Sequence, residues 1–123
     1  MSREIRFRAY HKRNNKIYEV IQIDFENEVA LLGNIEIEDN KNFYAKFEDI
    51  ELLQNTGITD ISGNDIYEGD IVYQTSPILG RGDFEITGEV KFIEGSWWIE
   101  NAPNAMLLFN EINENEIVGN KYV

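Results

Sequence analysis

The chain has 123 residues, 23 acidic and 11 basic side chains, a net charge of −12 and no cysteine. That length suits one domain able to bury roughly two-thirds of its unfolded surface, and 42% hydrophobic with 12% aromatic content sets it apart from a disordered chain. The composition excludes disulfides, thiolate metal sites and cysteine nucleophiles, no apolar run approaches the roughly 18 residues of a spanning helix, and the charged start Met-Ser-Arg-Glu lacks the apolar run of a secretory signal.

Charge is unevenly spread. Residues 1–16 carry six basic residues against Glu4, a net of +5, and the remainder carries 5 basic against 22 acidic, a net of −17. A basic first strand within an acidic body follows, with charges that can pair locally or meet a partner. An acidic protein repels nucleic acid at long range, so such a contact would have to be local.

Ile5-Arg-Phe-Arg-Ala-Tyr10 alternates strictly, placing Ile5, Phe7 and Ala9 on one face and Arg6, Arg8 and Tyr10 on the other. Asn14-Asn15 suits a hairpin centre, since Asn tolerates positive φ, and β-branched Ile17–Ile23 reads as the return strand. His11, the lone histidine, falls at the strand-to-turn junction and reads as an exposed loop residue. Residues 25–32 fit a helix or a strand. Ile35–Glu38 alternates as a strand, residues 39–42 turn, and Phe43–Phe47 is a further strand. Residues 48–53 lean towards strand, with Ile50 and Leu52 inward.

Thr56-Gly57 ends that run. Gly57, Gly63 and Gly69 punctuate the stretch 56–72, which disfavours helix. Asp60–Asp65 and Tyr67-Glu-Gly-Asp70 read as turns that feed a strand at Ile71–Tyr73. Gln74–Gly88 reads as a looser hairpin loop centred on Gly80-Arg81-Gly82. Glu89–Ile93 and Trp97–Glu100 form the clearest hairpin, with Gly95-Ser96 the preferred turn over Glu94-Gly95. Either turn puts Val90, Phe92, Trp97 and Ile99 on one face and Lys91, Ile93, Trp98 and Glu100 on the other. Asn101–Asn104 is a loop, residues 106–110 a short helix or linker, and Glu116–Tyr122 a final strand. Many short strands between turns predict an all-β barrel or sandwich, with at most one or two short helices. The organisation is a single domain over 1–123, an N-terminal β-hairpin region over 1–53 and a barrel-like region over 54–123.

Four motifs in order resemble the YopX family of bacteriophage and prophage proteins. They are Arg3–Tyr10, Leu52–Ile58, Gly63–Val72, and Gly88-Glu89-Val90 with Ile117–Tyr122. Two features depart from the family pattern: Asn55 stands where members carry an aromatic, and the chain stops at Val123 where members often continue. The resemblance implies a β-rich fold with a small SH3-like or related barrel in the second half, and a phage or prophage setting. It implies no activity and no site residues.

The residues themselves offer little chemistry. Gly80-Arg-Gly-Asp83 lacks the Lys-Ser/Thr of a phosphate loop. Asp60-x-Ser62-x-Asn64 starts like a calcium loop but has Asp65 and Ile71 where Gly and Glu are needed. One histidine makes a triad or zinc site improbable, and no metal or cofactor is expected. Trp97 and Trp98 point to opposite faces, so Trp98, beside Lys91, is a candidate anchor for a protein partner or a sister subunit. Arg6, Arg8 and Tyr10 form a second candidate stripe, able to salt-bridge or to bind single-stranded nucleic acid. Gly57, Gly63, Gly69 and Asp70 read as structural turns. The expectation is a cytoplasmic, non-enzymatic interaction module with a protein partner, without membrane association. The alternatives are a nucleic-acid-binding module acting through the first strand and a carboxylate-dependent enzyme.

Overall fold

The computed structural model describes residues 5–34, 41–77 and 83–123. These form an all-β, antiparallel protein whose one helical element is a turn of 3₁₀ helix at Phe47–Asp49. The expected strand at 35–38 and the loop at Gly80–Gly82 lie outside the described residues. The chain divides into two compact units, Met1–Gln54 with Tyr122–Val123, and Asn55–Lys121.

In the first unit the sheet order is β4 (Phe43–Lys46), β3 (Val29–Asn34), β2 (Lys16–Asp24), β1 (Phe7–His11), then the first half of β5 (Ile50–Thr59). Asn15 takes a φ of 53° and closes the β1–β2 hairpin, its N–H donating to the carbonyl of His11. Small Ala9, Ala30 and Ala45 share one buried cluster with the larger Tyr18, Leu32 and Ile50. The ambiguous 25–32 segment resolves into a turn and β3. The 48–53 segment enters β5, with Ile50 and Leu53 buried and Leu52 half-buried against the core.

Two expectations fail in this unit. His11 is buried, not exposed: it shares the inward face of β1 with Ala9, and the rings of Tyr18 and Phe43 pack edge-on to it at 6.3 and 5.9 Å. Its Nδ1 accepts the N–H of Asn14, so the ring also caps the turn. Ile5 is 79% exposed although its alternation partner Ala9 is fully buried, because β1 does not begin until Phe7.

In the second unit the later half of β5 pairs with β6 (Asp65–Tyr67). The main sheet runs β10 (Asn104–Leu107), β9 (Ser96–Asn101), β8 (Asp83–Ile93), β7 (Asp70–Pro77), β11 (Glu114–Asn120). Its core is Ile66, Val72, Ile86, Val90, Ile99 and Leu108, and each such fully buried aliphatic contributes about 1.5–3 kcal/mol. Gln74 is also fully buried, and its side-chain amide donates to the carbonyls of Leu107 and Leu108 and to Asn115 Oδ1.

The expected barrel does not close: β10 and β11 are the two ends of an open sheet. The outer side of β11 is taken instead by the Asp60–Ile61 segment. Ile61 N–H donates to the carbonyl of Asn115, and Ile117 N–H donates to Asp60 Oδ2 at 3.2 Å. The supposed loop 74–88 is mostly strand, since β7 runs to Pro77 and β8 starts at Asp83. Residue 57 does not end β5: the strand continues through it to Thr59 with a bulge. The β8–β9 turn is Glu94-Gly95, with φ of 48° and 83°, the type I′ geometry whose two positive φ values match strand twist. Residues 106–107 belong to β10 and are not helical.

Candidate functional site

β2 carries a signal in its own sequence. Tyr18 and Val20 are in one alternation phase, and Ile21 and Ile23 are in the other. The structure has a bulge at this point: Val20 faces Leu32 and Gln22 faces Leu31, with Ile21 the extra residue. A bulge bends its strand and ends regular pairing. The β1–β2 ladder stops at Arg8 opposite Glu19, while Phe7 still pairs with Gln54 on the other side.

β1 and β2 therefore part company, and an open cleft of about 460 Å³ lies between them. Ile5, Phe7, Val20, Ile21, Ile23 and Phe25 supply its apolar lining, with Arg6 and Glu19 among the polar residues. Ile5, Ile21 and Phe25 are 79%, 53% and 74% exposed. Single exposed apolar residues are ordinary, but these three are gathered in one concavity and make it an exposed apolar surface. The Phe25 ring is steadied edge-on by Phe47 at 6.0 Å. From sequence, Ile17–Ile23 reads as one regular return strand with no break; the adjacent Val20-Ile21 pair was the signal that could have revealed the bulge.

Of the residues singled out from sequence, all but Arg6 go elsewhere. Arg8 Nε lies 3.5 Å from Glu19. Tyr10 stacks on Tyr122 at 4.8 Å and donates its hydroxyl to Asn15, and Tyr122 in turn donates to Glu51. The ring face that a nucleobase would need is thus occupied. Arg6 is exposed and joins the cleft lining.

Trp98 and Lys91 are cross-strand neighbours on the second unit's sheet. Trp98 is half-buried and donates its indole N–H to the carbonyl of Ile93. Lys91 bonds Glu100 at 2.7 Å, and that bond, then the charges of Glu89 and Glu100, raise its pKa. Of the apolar set expected on the opposite face, Val90 and Ile99 are fully buried. Phe92 is 55% exposed and packs edge-on to half-buried Trp97 near the hairpin tip.

Gly57, Gly63 and Gly69 take φ of 80°, 84° and 87°. The turn at Gly69 lets Asp70 accept the N–H of Tyr67 and the side-chain amide of Asn120. Asp60 is buried and accepts the N–H groups of Ser62, Asn64 and Ile117. Burial opposes its ionisation, but the donors from Asn64, Ile117 and Ser62 outweigh that and hold its carboxyl below the usual range.

A second open cleft, about 350 Å³, is lined by Asp60, Phe109, Asn110, Asn113 and Asn115 among others. Asp60 and Asn115 already spend their polar atoms within the chain. Among the described residues no group of three His, Asp or Glu side chains could hold a metal ion, and no helix is long and apolar enough to cross a membrane.

Residues 6–123 match the family model described as YopX protein. The chain is similar to a solved structure titled crystal structure of protein EF1440 from Enterococcus faecalis, with 20% identity and a TM-score of 0.67. The match covers 98% of this chain and 95% of that one, and at this identity it shows a shared fold. No curated protein matches the chain.

Proposed function

The chain belongs to the YopX family, and on that footing we propose that it is a non-catalytic protein-interaction module acting in a phage or prophage setting in the cytoplasm of a bacterial host. The observation that supports this reading is the cleft where β1 and β2 separate. Burying Ile5, Ile21 and Phe25 against a partner removes large apolar side chains from water, which drives association. The covered Tyr10 ring and the Arg8–Glu19 pair weigh against the first strand as a nucleic-acid surface.

The test is affinity capture from host lysate, identification of the captured protein, and reconstitution of the pair from purified components. Ile21→Asp and Phe25→Asp are expected to abolish the reconstituted complex, and Ile112→Asp, at a site 61% exposed in the second unit, is expected to leave it intact. A complex indifferent to both cleft substitutions, or no specific partner, contradicts the reading.

A further inference from the structure

From the separation of β1 and β2 we infer that the cleft takes an extended peptide segment of a protein partner, which adds as a strand along the free edge of β2. This rests on the interaction-module reading and specifies what the partner presents. Over Val20–Asp24, β2 is paired with β3 on one side, and among the described residues no strand lies on the other. That edge is five residues long, roughly 17 Å at about 3.4 Å per residue. Unpaired backbone N–H and C=O groups along a strand edge form a template for another strand, and strand addition is a recurrent mode of peptide recognition.

The side chains set the chemistry of the occupant. Ile5 and Phe7 on one wall, with Ile21 and Phe25 on the other, call for apolar residues at alternate positions. Charge defines one end. Asp24, Glu26 and Glu28 flank Phe25 in the chain, and none of the three makes an ion pair among the described residues. The Asp24 carboxyl is held below its usual range by the Asn27 side chain and N–H, which keeps this residue anionic. A segment carrying a Lys or Arg beyond its last apolar residue would complement it.

The experiment selects a display library of random peptides of about nine residues, roughly 30 Å when extended, against the full chain. The expected consensus alternates apolar residues and ends in a basic residue. N-methylation of alternate backbone amides in the best peptide is expected to weaken binding about tenfold or more in one phase and little in the other. Ile21→Asp should abolish binding, and Ile112→Asp, with melting checked for both variants, should not.

Peptides that bind the cleft without alternation, or that tolerate N-methylation in both phases, overturn strand addition while leaving the interaction-module reading standing. Selection of no peptide, with a self-associated chain that Phe25→Asp turns monomeric, overturns it in favour of a second copy as occupant. Selection of no peptide from a monomeric chain overturns it outright. The broader reading falls as well if the reconstituted protein complex does not depend on the cleft or if no specific partner is found.

Discussion

The carboxylate of Asp60 accepts the backbone N–H of Ile117 at 3.2 Å, filling the position a neighbouring strand's carbonyl would take on the outer side of β11. The same side chain closes its own turn through Ser62 and Asn64. One residue thus ties a glycine-bearing loop to the last strand of the second unit and covers part of an edge otherwise open to pairing.

Asp60→Asn is expected to cost about 1–3 kcal/mol in urea unfolding, because buried N–H groups lose a charged acceptor. Its pH dependence has a defined sign. The folded carboxyl titrates below the ordinary aspartate value, so the unfolded chain binds more protons and stability rises with pH through this window. The contribution is full above the unfolded value and disappears as pH falls through the folded one. Parent and variant stabilities should therefore converge in acid, and a difference that persists unchanged at low pH would contradict the assignment.

Gly88 and Gly63 make a contrasting pair. A methyl group on Gly88 would lie 2.5 Å from the carbonyl oxygen of Glu100, backbone that cannot step aside. Gly63 has open space around it and only its φ of 84° to defend. Gly88→Ala should lower stability by about 3 kcal/mol through overpacking, and Gly63→Ala by about 1–2 kcal/mol through left-handed strain. Gly69→Val should also damage folding, since a β-branched residue resists the φ of 87° found there. Thermal melts that rank Gly63→Ala as the worse of the two alanine variants would show the β8–β9 approach to be looser than described.

Tyr10 and Tyr122 stack with ring planes 27° apart. A double-mutant cycle with Tyr10→Ala and Tyr122→Ala should give a coupling energy of about 0.5–1.5 kcal/mol. Zero coupling would mean that the C-terminal ring does not rest on the first strand in solution. Tyr122→Phe alone should cost about 1 kcal/mol or less by removing the bond to Glu51.

What was legible in the sequence was local. Alternation found β1 and the β8–β9 hairpin, Asn14-Asn15 found its turn, and the glycine-bearing stretch found its positive φ positions. The family motifs carried the all-β fold. What failed depended on contacts distant in the chain. His11 is buried by Phe43, a residue on a strand that touches β1 through none of the local patterns. The open sheet could not be told from a barrel, because closure is decided by which edges meet, and here Asp60 reaches β11 across more than fifty residues. The cleft was hidden for a third reason: Ile17–Ile23 reads as one regular strand, and the bulge that reverses its side-chain phase leaves Ile21 53% exposed.

A methyl-labelled NMR titration of the isoleucines with the purified partner tests whether the separation of β1 and β2 is the protein's working surface. Saturable shifts are expected at Ile5, Ile21 and Ile23, with Ile86 and Ile99 in the second unit's core unmoved. Shifts confined to Ile71 and Ile93, on the Lys91 and Trp98 face, with the three cleft methyls silent, would contradict the claim and return the site to that face.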